Sequence, residues 1–172
     1  MAAWRARLAA VPGRHVGLVW AGSPWASDPV AASIDRRRSM ALAQFAPLAA
    51  VPGISWVSLQ TGGPASQART PPPGMAILDW TESLADFADT AALVAALDLV
   101  ISVDTSVVHL AGAQGKPVWV LNRFDACWRW LRGREDSPWY PTARLFRQPG
   151  PGDWTGVIAA VGEALRAHEE ER

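Results

Sequence analysis

The stretch Leu99-Val100-Ile101-Ser102-Val103-Asp104-Thr105-Ser106-Val107-Val108-His109-Leu110-Ala111-Gly112-Ala113-Gln114-Gly115-Lys116-Pro117-Val118-Trp119-Val120-Leu121 decides the fold. It opens on a near-continuous apolar run, the pattern of a strand covered on both faces in a parallel sheet. Asp104-Thr105-Ser106 then carries the signals of a helix start, and Gly115-Lys116-Pro117 ends a helix running from about Val107 to Gln114. Val118 to Leu121 is a strand as apolar as the first. Strand, helix and strand joined this tightly form a right-handed βαβ crossover.

Outward from that unit the same alternation continues. Residues 4 to 10 read as a short helix ended by Pro12-Gly13, and His15 to Trp20 is an apolar first strand. Gly22 to Ser39 has Gly, Pro, Ser, Asp and three consecutive arginines without apolar periodicity, so it reads as a long loop. Ala41 to Ala50 has helical composition, Ile54 to Leu59 is β-prone, and Thr61 to Gly74 is a Gly/Pro-rich loop. Met75 to Leu78 is a short strand, and the apolar spacing through Leu84, Phe87, Val94 and Leu97 predicts a helix over Ser83 to Asp98. Beyond Leu121 come an aromatic loop with Trp128, Trp130, Trp139 and Tyr140, an edge strand at Arg144 to Phe146, and a helix from about Trp154 to His168. The expected fold is α/β: a Rossmann-like three-layer domain over residues 14–172 with a mostly parallel sheet of five or six strands, preceded by a linker and N-terminal helix at residues 1–13.

Composition narrows the function. A chain of 172 residues buries about 68–70% of its unfolded surface in one core and needs no metal or disulfide to fold. Cys127 has no intrachain partner, and with only His15, His109 and His168 the usual zinc spacings are missing, so no metal is expected. Lys+Arg and Asp+Glu both number 16, which removes any global field toward nucleic acid or an anionic membrane. The longest strongly apolar stretch, Ala91 to Val103, is broken by Asp98 and too short to span a bilayer. The expectation is a soluble, cytoplasmic protein with no nucleic-acid partner and no membrane span. GxGxxG, GxSxG and paired carboxylates are all missing, and the first strand runs into Ala21-Gly22-Ser23-Pro24 instead. A dinucleotide dehydrogenase, a serine hydrolase and a glycosidase therefore lose their main support.

In an open parallel sheet, ligands bind outside the carboxyl ends of the strands. Thr105 and Ser106, small residues opening a helix, let a diphosphate approach free N–H groups, and Asp104 can accept hydrogen bonds from sugar or ribose hydroxyls. The alternative is that Asp104 or Thr105 only caps the helix. The loop beginning at Gly22-Ser23 later supplies Arg36-Arg37-Arg38, whose forks suit phosphate oxygens and which otherwise read as a solvated charge run. Gln60, with Thr61-Gly62-Gly63 after the second strand, is either a ligand contact or a turn. His109 follows Ser106 by one helical turn and faces either the same ligand or the core. Trp128-Arg129-Trp130 form either a stacking wall or a packing surface against the sheet or a neighbouring domain.

The segment from Leu99 through His109-Leu110-Ala111, with Gly115-Lys116-Pro117, resembles the donor-binding motif of glycosyltransferase family 9, the heptosyltransferase-like enzymes. The family form is Asp-Thr-Gly, two variable residues, then His-Leu-Ala; Ser106 stands here in place of the glycine. Val16 to Gly22, Asp35 to Ser39, Phe87 to Thr90 and the run from Trp128-Arg129-Trp130 to Ser137-Pro138-Trp139-Tyr140 extend the likeness to the C-terminal domain of bacterial tetratricopeptide-repeat glycosyltransferases.

That resemblance implies one half of a GT-B fold, the half that binds a nucleotide-diphosphate sugar in a metal-independent, inverting transferase. The sugar nucleotide would be substrate, and no cofactor is implied. The backbone around Thr105 and Ser106 would hold the diphosphate, Asp104 would contact the sugar, and Gly22-Ser23 with Arg37 or Arg38 would close over the phosphates. The loop after the second strand lacks an acidic partner for the ribose. The catalytic base would come from an N-terminal acceptor domain, with tetratricopeptide repeats, that this chain lacks, so no catalytic residue is assigned. Met1-Ala2-Ala3-Trp4 stands where the resembling proteins have their interdomain linker, and a piece of a longer protein, inactive by itself, is the expectation. The competing reading is a non-catalytic module that uses its tryptophan-rich face for protein contact.

Overall fold

The computed structural model describes residues 1–23 and 27–170. Its centre is a six-stranded sheet in the order β3-β2-β1-β4-β5-β6. The strands are β1 (Arg14–Val19), β2 (Ile54–Ser58), β3 (Ile77–Asp79), β4 (Leu99–Val103), β5 (Val118–Asn122) and β6 (Ala143–Arg147), and every neighbouring pair is parallel. The two runs that decided the class, β4 and β5, are buried at every position, as continuous apolar strands between two helical layers must be. The expected Rossmann-like three-layer architecture is thus the observed one.

Alternate residues of each strand feed two cores. One face packs Leu18, Ile101, Leu121 and Phe146 beneath the C-terminal helix α5 (Trp154–Glu170) and a 3-10 segment at Leu42–Ala50. The other packs Val57, Val100, Val120 and Leu145 beneath α3 (Phe87–Val94) and α4 (Ser106–Ala113). The first helix, α1 (Ala2–Ala9), sends Leu8 into this second core and stacks Trp4 on Trp80 at 5.8 Å, with Arg7 over the Trp80 ring.

Three sequence readings need correction. Most of Gly22 to Ser39 is no loop: α2 occupies Pro29–Arg38, while positions 24 to 26 of that stretch lie outside the described residues. Its helix is held by its ends. Asp28 accepts from Val30 N and Ala31 N, Pro29 opens the first turn, and the three arginines sit on the negative end of the helix dipole. Only Asp35 of this helix is buried, so apolar periodicity could not reveal it. The helix expected over Ser83 to Asp98 is confined to Phe87–Val94, because Asp86 caps it through Ala88 N and Asp89 N. Asp98 N–H donates to His15 O at 2.9 Å, so the chain leaves the helix in time to enter β4. Leu42–Ala50 is a 3-10 rather than an α-helix; its buried residues Leu42, Phe45 and Leu48 recur every third position, which a three-residue turn places on one side.

Candidate functional site

The strand order reverses direction between β1 and β4, and the crevice outside such a reversal is where this sheet class binds ligands. A cleft of about 410 Å3 lies there. Gly22, Ser23, Arg38, Gln60, Thr105 and Ser106 all line it, so six of the nine residues expected from the sequence are brought together from the ends of β1, β2 and β4 and the end of α2.

The start of α4 supplies its most telling wall. Thr105 is the N-cap residue, but among the described residues no side chain accepts a hydrogen bond from the first turn. The Thr105 hydroxyl instead lies 3.1 Å from Ser102 Oγ, which in turn donates to Val103 O. Side-chain capping, one of the two readings of this junction, is therefore not what Thr105 does. The helix start keeps its positive end of the macrodipole turned to the cleft with Ser106 exposed beside it.

Arg38 ties the opposite wall to this junction. Its Nη1 donates to Asp104 O at 2.8 Å, and its Nε and Nη2 donate to Asp35 Oδ1 at 3.0 and 2.8 Å. One guanidinium thus bridges α2 and the β4–α4 turn. Asp35, buried and one turn before Arg38, was passed over as a site residue; an acid at i and an arginine at i+3 in a helix was the available signal. Gly22 is required where this pair meets the β1 loop, because a Cβ there would overlap Asp35 Oδ1 and Arg38 Nη2. Its N–H donates to Ser39 Oγ at 2.9 Å. Gln60 is buried, and its Oε1 accepts from Trp20 N and Ala21 N at 3.0 and 2.8 Å. Its side chain clasps the ends of β1 and β2 together and so shapes the cleft floor.

Three expected residues stand elsewhere. Asp104 gives Arg38 its backbone oxygen and, half-buried, does not line the cleft itself. Arg37 turns away from the cleft and pairs with Asp125 at 2.6 Å. His109 packs flat on buried Trp130, with centroids 5.5 Å apart, and its Nδ1 lies 3.0 Å from the Tyr140 hydroxyl. Burial pushes the His109 pKa below its ordinary value, the nearby Asp104 charge acts against that shift, and Arg129 adds to it. Gly112 leaves room for Tyr140, whose ring a Cβ would strike. The tryptophan loop splits by exposure: Trp130 is fully buried, while Trp128 and Trp139 are exposed and meet edge to face at 6.3 Å.

The glycosyltransferase family 9 (heptosyltransferase) model matches residues 84–122, the span that holds β4, the α4 start and β5. Over that span, less than a quarter of the chain, the sequence is similar to the family's model. It is 32% identical over 173 residues to the Protein FlbA of Caulobacter vibrioides, matching 96% of this chain and 27% of that protein. Among solved structures it resembles the E. coli ADP-heptose LPS heptosyltransferase II, with a TM-score of 0.64 and 14% identity over 99% of this chain and 53% of that one. A family 9 glycosyl transferase from Veillonella parvula gives a TM-score of 0.55 and 15% identity over 96% and 52%. The chain thus spans about a quarter of the curated relative's length and about half of each solved structure. No helix among the described residues is long and apolar enough to cross a membrane.

Proposed function

We propose that this domain is the donor half of an inverting, metal-independent glycosyltransferase and that its cleft holds the diphosphate of a nucleotide sugar. The observation that carries this reading is the uncapped start of α4 facing Arg38 across the cleft at the sheet's reversal point. A diphosphate there would accept hydrogen bonds from the backbone at Ser106 and Val107 and meet the positive end of the helix dipole. Arg38, already oriented by Asp35 and Asp104 O, would present its guanidinium edge to the phosphates without first having to be ordered. Asp104, at the lip of the same turn, would contact the sugar. The facing acceptor domain, with its tetratricopeptide repeats, would supply the base and exclude water from the reacting centre. The cytoplasm, where nucleotide sugars are made, is the compartment this reading requires.

The test is a thermal-shift series on this chain with UDP, ADP, GDP, CMP and their sugar conjugates, each with and without EDTA. ADP comes first, because the E. coli neighbour is named for ADP-heptose. A ligand at 100 times its Kd stabilises by about 2.7 kcal/mol, and the shift should be selective for one nucleotide and insensitive to EDTA. Asp104→Ala and Arg38→Ala, each referred to its own ligand-free Tm, should both shrink it; undiminished shifts in both variants would overturn the proposal.

The exposed pair Trp128 and Trp139 favours one second reading, a module whose aromatic face binds another protein. Under that reading size-exclusion chromatography shows association that Trp128→Ala abolishes and nucleotide leaves unchanged.

A further inference from the structure

The rim of the sheet carries a second cavity, of about 470 Å3, where the end of α2, the loop after β5 and the loop between β6 and α5 converge. It shares no lining residue with the nucleotide cleft. The division falls within three consecutive arginines. Arg38 turns to the cleft, whereas Arg36 and Arg37 line the second cavity with Phe124, Asp125, Gln148 and Trp154.

Charge at this cavity is unbalanced. Asp125 receives Arg37 Nη1 at 2.6 Å and Arg123 Nε at 3.3 Å, so one carboxylate serves two guanidiniums. Arg36 has no ion-pair partner among the described residues. Two lining cations, Arg36 and Arg37, therefore stand against one lining anion, which Arg123 also engages, in a chain whose net charge is zero.

The hydrogen-bond balance has the same sign. Arg123, with 11% of its side chain exposed, spends its Nε on the Asp125 ion pair, and its Nη1 has no hydrogen-bond partner among the described residues. Gln148, at 5%, accepts through Oε1 from Phe124 N and Gly152 N at 3.0 and 3.2 Å, which fixes the orientation of its amide and leaves Nε2 as an unused donor. Both unused donors are shielded from solvent, so they add positive potential near the cavity and not contacts to its occupant. Phe124 and Trp154 add apolar wall, the usual companion of a few placed polar groups in a small-molecule pocket.

The geometry points to a second ligand subsite in this cavity, one that takes the oxyanion of a phosphate- or carboxylate-bearing small molecule on Arg36 and Arg37. Guanidinium forks match oxyanions two bonds at a time, and local positive surplus rather than overall charge draws them in. Asp125 competes with the ligand: it holds Arg37 in place while the site is empty and lowers the affinity. The subsite stands on its own residues and does not depend on what fills the nucleotide cleft.

The experiment is a titration of the uniformly 15N-labelled chain with inorganic phosphate and, separately, with succinate, followed by backbone amide shifts. Saturable movement of the Phe124, Asp125 and Gly152 amides is expected, with phosphate, succinate or both, and the responding salt names the source of the oxyanion. Movement with neither salt, or movement confined to Ser106 and Val107 in the cleft, overturns the proposal and leaves the nucleotide reading untouched. Asp125→Asn should tighten binding of the responding salt about fivefold, the scale of removing one partly exposed competing charge. A misfolded variant cannot bind more tightly, so unchanged or weaker affinity in Asp125→Asn also overturns the subsite. Arg36→Ala should weaken binding by a similar factor without lowering Tm, since that side chain is exposed and unpaired.

Discussion

The helices α2 and α4 both follow strands at the same rim of the sheet, yet they begin in opposite ways. At α2, Asp28 takes the first free N–H groups for itself and Pro29 removes another. At α4, the Thr105 hydroxyl is turned to Ser102 and the first turn is left without a side-chain acceptor among the described residues. A closed start stabilises the fold, and an open one is a standing electrostatic attraction for an anion. The end of α2 then complements the start of α4, because Arg38 crosses 66 residues of sequence to hold the Asp104 carbonyl.

The sharpest way to break this arrangement is Asp35→Ala. It leaves the Arg38 guanidinium, three-quarters buried, without the carboxylate that receives two of its three bonds. Hydrogen bonds to charged groups contribute about 1.5–3 kcal/mol, so urea unfolding should show a loss of that order together with weakened nucleotide affinity.

Next in size is the contrast between the two helix starts. Asp28→Ala should cost about 1 kcal/mol of stability while nucleotide affinity is unchanged. Thr105→Val removes only the Ser102 contact, and its stability loss should stay within about 0.5–1 kcal/mol. Equal and larger losses in both variants would mean that the α4 start is capped in solution and closed to ligand.

The smallest effect concerns His109. Its pKa is lowered in the folded state from the ordinary 6.5, chiefly by burial against Trp130 and Tyr140. The unfolded chain then binds the proton more readily. This contribution to stability is full above about pH 6.5 and is lost as pH falls through the lowered folded value. Urea midpoints measured from pH 7.5 down to 5 should decline less in His109→Gln than in the parent.

Much of the fold was legible because its signals are local. β4 and β5 showed as unbroken apolar runs, and the short interval between them left room only for a helical crossover. The α4 junction was legible too, since a helix has to start where Asp104-Thr105-Ser106 interrupts the apolar pattern. α2 was missed because it buries almost nothing and is held by its two ends, although Asp28-Pro29 is itself a start signal. The 3-10 segment at Leu42–Ala50 was taken for an α-helix because both bury residues three apart.

Sequence by itself thus determined the strands, the helix start at Thr105 and Ser106, and the family likeness, all of which depend on residues a few positions apart. Only the tertiary structure decided that Arg38 rather than Arg37 enters the cleft, that Gln60 clasps two strand ends, and that His109 stacks on Trp130. Each of those outcomes is a contact between groups far apart along the chain. Their partners are chosen by the strand order β3-β2-β1-β4-β5-β6, which sets which loops meet at the rim.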